Sequence, residues 1–271
     1  MLAAPDSHTF RFAAECRTSS GAAPCPHRPP PRHPRSATAP RPDCPWCGAA
    51  RPRARTPVLD RCRACAHVFR TVPAPATGQV ADRDRPRRHR ATARAVLRLL
   101  RDDPESWLDV GTGDARFPAA AKAFFPYTAF DGLDVTSRVV RARAAERVEE
   151  AHVGRLTDRT LTAPLRARYD VVSLLHHLPR TPDPRAELRA ALGLLRPGGL
   201  LVLELPDPEA PFAALTALLP ASRERPAPLH LPPRANLAAA LEAAGCAVLT
   251  PPGRGRPAAY RIIARRGGSA P

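Results

Sequence analysis

The chain has 271 residues, and its 42 Lys and Arg outweigh 25 Asp and Glu to give a formal net charge of +17. That length accommodates one domain of about 150–200 residues and a smaller companion. No apolar run reaches the roughly 18 residues of a membrane span, and the N-terminus lacks the basic-then-apolar pattern of a secretory signal. The expectation is therefore a soluble cytoplasmic protein. The positive charge is almost all arginine, with Lys122 the single lysine, and it crowds with proline into the first ninety residues. Such a distribution reads as a charged tail and linker before it reads as a nucleic-acid footprint.

In chain order, residues 1–40 are rich in Pro and Arg and poor in large apolar side chains, so they are expected to be a disordered tail. Residues 41–70 hold Cys44-Pro45-Trp46-Cys47 and Cys62-Arg63-Ala64-Cys65. Two Cys-x-x-Cys pairs present four thiolates in a tetrahedron, which is the donor set of a structural zinc ribbon; a segment this short draws its folding energy from the metal. Four protein ligands leave no open position, so the expected Zn2+ is structural. The other three cysteines, Cys16, Cys25 and Cys246, read as incidental thiols. Residues 71–90 return to Pro, Arg and Asp and read as a linker.

From residue 91 to 271 the pattern alternates. An amphipathic helix after Ala91 precedes strands at Ser106–Val110, Tyr127–Leu133, Tyr169–Leu175 and Leu200–Leu205. Helices fall at Ala115–Phe125, Ser137–Glu150, Arg185–Leu195 and Ala235–Ala244. A hairpin of Ala247–Thr250 with Ala258–Ala264 closes the chain. Regular βα alternation implies an α/β fold with a mostly parallel sheet and an antiparallel last strand.

The turn after the first of these strands reads Asp109-Val110-Gly111-Thr112-Gly113. Glycines there allow a tight turn and close approach of a ligand to the backbone, beside the free N–H groups of a helix N-terminus. The next strand ends in Gly132-Leu133-Asp134, where an acid can accept hydrogen bonds from ribose hydroxyls; the competing role for Asp134 is an N-cap. Together with Tyr169-Asp170-Val171-Val172-Ser173 and Leu194-Leu195-Arg196-Pro197-Gly198-Gly199-Leu200, these segments resemble, in order, the motifs of class I (Rossmann-like) S-adenosylmethionine-dependent methyltransferases. The resemblance implies that S-adenosylmethionine is held by Asp109, Gly111, Gly113, Leu133, Asp134 and Gly154. Two departures stand out. Ala115 replaces the third glycine of the turn, and Arg155 follows Gly154 where the family often has an acid, with Asp158 three residues further on.

At the exit of the fourth-strand motif, Leu175-His176-His177-Leu178-Pro179-Arg180-Thr181-Pro182-Asp183-Pro184 is similar to the histidine-containing segment of small-molecule methyltransferases, with Pro179 and Arg180 in place of a Glu-His pair. His176 or His177 then acts as acceptor-positioning group or general base, or simply packs beside the cofactor. His230, before the last helix, is a further catalytic candidate beneath a covering segment, 210–233. The expected acceptor is a small molecule, methylated on O, N or C. The alternative is an rRNA or tRNA methyltransferase that grips RNA with ribbon and basic linker, because the cysteine block resembles ribbons that precede bacterial rRNA guanine methyltransferases. Their following Ala-Lys-Glu-Gly-Tyr segment is absent here. A third reading is a non-catalytic cofactor-binding protein.

Overall fold

The computed structural model describes residues 43–50, 52–56, 59–71, 85–210, 229–250 and 259–268. The expected tail and most of the covering segment therefore lie outside the described residues. Three short strands open the described chain: β1 (Arg53–Thr56), β2 (Leu59–Arg61) and β3 (Val68–Arg70). They form an antiparallel sheet in the order β1-β2-β3-β9, its fourth strand being β9 (His230–Leu231) from the distant part of the chain.

The main sheet has seven strands in the order β10-β11-β8-β7-β4-β5-β6. Its parallel strands are β4 (Ser106–Val110), β5 (Ala129–Asp134), β6 (Ala151–Val153), β7 (Tyr169–Leu175) and β8 (Leu195–Pro206). The antiparallel members are β10 (Cys246–Val248) and β11 (Ala259–Arg266), as expected for a closing hairpin. The order runs outward from β4 to β6 and then returns to β7 on the other side of β4. In open α/β sheets a ligand crevice opens at the carboxyl ends of the strands flanking such a reversal.

Helices cover both faces. They are α1 (Arg85–Leu97), α2 (Arg116–Ala121), α3 (Arg138–Ala144), α4 (Arg159–Thr162), α5 (Pro184–Leu194) and α6 (Arg234–Ala243). On one face Trp107 is fully buried, with Phe117, Phe125 and Phe130 at 5.3–5.5 Å between ring centroids. On the other, Leu108, Leu174, Leu201 and Leu203 pack with Leu188, Leu237 and Leu241. Fully burying a leucine or phenylalanine contributes about 1.5–3 kcal/mol, so these two layers hold the sheet rigid beneath the crevice.

Several bounds differ from expectation: α2 ends at Ala121 and not at Phe125, β5 begins at Ala129 and not at Tyr127, and β8 begins at Leu195 and not at Leu200. The helix expected from Ala91 begins at Arg85, and Arg87 and Arg90 are exposed on the same helix that buries Thr92, Ala93 and Val96. The helix expected over Ser137–Glu150 ends at Ala144, and the chain then forms β6, an edge strand too short for its alternation to be legible. Asp158 is the N-cap of α4, its carboxylate accepting from the Thr160 N–H at 2.9 Å.

Candidate functional site

A cleft opens at the reversal point. Its lining includes the Asp109–Asp114 turn, Phe117, Arg138, His89, His176 and Arg180. Gly111 has φ +71° and Gly113 φ +55°, the left-handed region that glycine enters without strain. Ala115 lies in the same region at φ 51° and is completely buried. Alanine there keeps the close packing that a third glycine would allow, at a conformational cost of about 1–2 kcal/mol.

The turn is tied down from several sides. Gly111 N–H donates to the Leu133 carbonyl at 2.7 Å, and Gly113 N–H donates to an Asp134 oxygen at 2.9 Å. The other Asp134 oxygen accepts from the Thr136 N–H and hydroxyl at 2.8 and 2.6 Å. A carboxylate has about four acceptor positions, so Asp134 can bind this loop and still receive a hydroxyl. Asp109 is buried behind the turn, where it accepts from Ser173 Oγ at 2.6 Å, and Ser173 accepts in turn from the Trp107 indole at 3.0 Å. Burial raises the Asp109 carboxyl to about 6, against the pull of the Ser173 hydroxyl and of nearby His177. At the mouth, Arg138 makes a paired contact with Asp114 that holds this carboxyl below its usual range.

Sequence reasoning missed the groups that surround His176. This residue lines the cleft in a left-handed conformation, φ 57°, which costs a non-glycine residue of order 1–3 kcal/mol and persists where neighbours enforce it. Glu204 on β8 enforces it twice. The Glu204 carbonyl accepts from His176 N–H at 2.8 Å, and the Glu204 carboxylate faces His176 Nε2 at 3.3 Å. The other carboxylate oxygen accepts from the Thr92 hydroxyl and from Arg261, each at 3.0 Å. Burial alone would raise the Glu204 pKa, but His176 and Arg261 outweigh it and pull the group down to about 2. The signal was present in Leu200–Leu205, where a single acid interrupts an apolar strand.

His177 and His230 are placed elsewhere. His177 is absent from the cleft lining and bonds Glu187 on α5. His230 is buried at the ribbon, its Nε2 3.1 Å from the Pro182 carbonyl and its ring 5.4 Å from that of His67. Leu133 is buried with its carbonyl under the turn, and Gly154 follows β6, its N–H on the Asp134 carbonyl at 2.9 Å.

The four cysteines converge. The sulfurs of Cys44, Cys47, Cys62 and Cys65 lie within 4.8 Å of one another, with Cys44–Cys65 at 3.7 Å and Cys47–Cys62 at 3.5 Å. A tetrahedral zinc with ligands at about 2.3 Å requires sulfur separations of about 3.8 Å, so the donor set and its spacing fit that ion. The ribbon is welded to the larger domain. β3 pairs with β9, Asn236 donates to the Cys65 carbonyl at 2.8 Å, and Arg185 donates to the Trp46 carbonyl at 2.8 Å. His67 is buried between Trp46, Phe69 and His230, where burial and His230 lower its pKa to about 3, so it is neutral at physiological pH.

A mostly parallel sheet with a glycine turn at its reversal point and an acid closing the next strand defines a nucleotide-cofactor protein with the Rossmann-like methyltransferase architecture. The chain belongs to the methyltransferase-domain family, whose model matches residues 83–250. No curated protein sequence matches it significantly. Its fold is similar to that of an O-methyltransferase family protein from Burkholderia thailandensis (TM-score 0.55, 18% identity, 69% of this chain and 57% of that one). It is also similar to a SAM-dependent methyltransferase of Thermotoga maritima (0.51, 18%, 68% and 92%). Human N-acetylserotonin methyltransferase in complex with SAM is a third (0.50, 16%, 65% and 52%). This chain therefore spans just over half the length of the first and third. Among the described residues no helix is long and apolar enough to cross a membrane.

Proposed function

We propose that this protein transfers the methyl group of S-adenosylmethionine to a small-molecule acceptor, with residues 41–70 acting as a structural zinc ribbon for the catalytic domain. The observation that carries the reading is the His176–Glu204 pair in the cleft beside the glycine turn. S-adenosylmethionine supplies a sulfonium-activated methyl group; Asp109, Gly111, Gly113, Leu133, Asp134 and Gly154 are the residues assigned to hold it. Little further activation is needed, so positioning of the acceptor dominates. His176 faces the cleft with Nε2 fixed by a buried carboxylate, an arrangement suited to accept the proton that an O–H or N–H acceptor loses. Thr92 and Arg261 hold that carboxylate in turn. Human N-acetylserotonin methyltransferase, one of the structural relatives, is named for a small acceptor, which favours the same class here.

The test is transfer of labelled methyl from S-adenosylmethionine by the full chain to phenolic, carboxylic and amine acceptors, alongside total RNA. His176→Gln should lower kcat on a small acceptor about 100-fold or more and leave cofactor affinity unchanged. Label found in RNA alone would overturn the assignment. That rival keeps a specific observation in its favour: Arg53, Arg61 and Arg63 on the ribbon, and Arg87, Arg90 and Arg94 on α1, are exposed.

A further inference from the structure

Two adjacent histidines leave β7 and do different work. His176 lines the cleft, whereas His177 begins the short turn Leu178–Arg180 and directs its ring under the glycine loop. A Cβ placed on Gly111 would come within 2.5 Å of His177 Nδ1 and 3.1 Å of its Cγ, so the ring lies directly against the Gly111 backbone. The other ring nitrogen, Nε2, meets a Glu187 carboxylate oxygen at 3.2 Å. Glu187 sits on α5 with its side chain only 6% exposed, on the face that also carries Leu188 and Ala191. The charged groups around the imidazole are thus Glu187 from α5 and buried Asp109 from β4.

We infer that His177 is a positioning residue for the nucleotide cofactor: braced by Glu187, its ring backs the Gly111 turn and holds it in the binding conformation. The inference rests on the assignment of that turn to S-adenosylmethionine. The turn is held as well through Leu133 and Asp134, and at its far end by Arg138 and Arg147 on Asp114, but among these side chains His177 is the one packed against Gly111. Removing the ring takes away the side chain packed against this left-handed glycine and leaves the Leu133 carbonyl to hold it, so the turn samples other conformations more readily. Binding must then restore an order that is otherwise built in, and affinity falls by that amount. A general base would behave differently, since loss of a proton acceptor slows turnover without weakening the cofactor complex.

The experiment is titration calorimetry of S-adenosylmethionine into the purified full chain and its variants, with folding checked by circular dichroism. His177→Ala should weaken binding about tenfold, and His176→Ala by less than about twofold. Glu187→Ala should match His177→Ala, and the double variant should be no weaker than either single one. Glu187→Gln, which keeps an oxygen to accept from the imidazole, should stay within about threefold of the parent. Should His177→Ala not fold, Glu187→Ala and His177→Asn carry the comparison. Unchanged affinity in folded His177→Ala, or additive losses in the double variant, would overturn the inference. Absence of binding by the parent chain would instead remove the cofactor assignment on which it rests.

Discussion

Replacing Glu204 with glutamine removes one negative charge from the centre of the site and leaves its shape. The carboxylate is almost inaccessible, and His176 and Arg261 depress it from an ordinary 4.5 to about 2, which corresponds to about 3 kcal/mol of stability at neutral pH. Between those two values the unfolded chain holds a proton that the folded chain refuses. The contribution is therefore complete above about pH 4.5 and drains away as pH falls toward 2. Glutamine keeps an oxygen for Thr92 and Arg261, so the expected loss at pH 7 is about 2–3 kcal/mol. At pH 3 the gap between parent and variant should narrow to about half. Asp109 has the opposite sign: its raised value makes stability fall as pH climbs from about 3.8 toward 6. It titrates alike in both proteins, and any metal held by the cysteines would be released alike, so the difference between them isolates Glu204. Urea unfolding followed by tryptophan fluorescence at pH 7 and pH 3 measures it. A gap that is already absent at pH 7, or is equally large at pH 3, would refute the charge-network reasoning.

Two further outcomes follow from the same geometry. The purified protein should contain one zinc per chain, and chelation or Cys62→Ser should lower the melting temperature, because the ribbon has little core of its own; elemental analysis finding no metal, with all four thiols free to react in native protein, would contradict this. Asp134→Ala should weaken S-adenosylmethionine about 10- to 100-fold, since it removes charge-assisted acceptors for the ribose and also releases the Gly113 N–H and Thr136. Equal affinity in a folded variant would show that the second motif does not hold the cofactor.

The sheet was legible because β4 and β7 are short, mainly apolar segments of five and seven residues, and both fall where the pattern put them, at Ser106–Val110 and Tyr169–Leu175. The four cysteines were legible because spacing alone brings the two pairs together. β6 and β9 were not, since strands of three and two residues take their identity from a neighbour and carry no period of their own. The site was half legible. Motif spacing located the turn and Asp134, but the partners of the two histidines come from β8, α1, β11 and α5, whose contacts depend on packing. Glu204 and Glu187 each left a local trace, as an acid within an otherwise apolar strand or helix face. His230, within the covering segment in the sequence, pairs with Phe69 and packs its ring near His67, a placement that depends on a strand pairing the sequence does not show.

The way the ribbon is attached bears on its role. Each of its tethers ends on a loop or helix start beyond the carboxyl edge of the sheet. Arg185 belongs to the segment after β7; Pro208 and Glu209, which meet Arg55 and Arg61, follow β8; Asn236 lies in the first turn of α6. Arg70 N–H reaches the Leu229 carbonyl at 2.8 Å, and Leu229 N–H reaches that of Pro179 at 2.7 Å, one residue before cleft-lining Arg180. In open α/β sheets such loops border the ligand crevice. Phe69 and His67 are buried in the process, and that inner face is unavailable to any outside partner. A ribbon built solely to grip RNA would gain nothing from binding the crevice-side loops of its own domain at so many points. Fixing those loops to the cysteine-bearing block limits their freedom, and the small-acceptor site proposed above would depend on just that preorganisation.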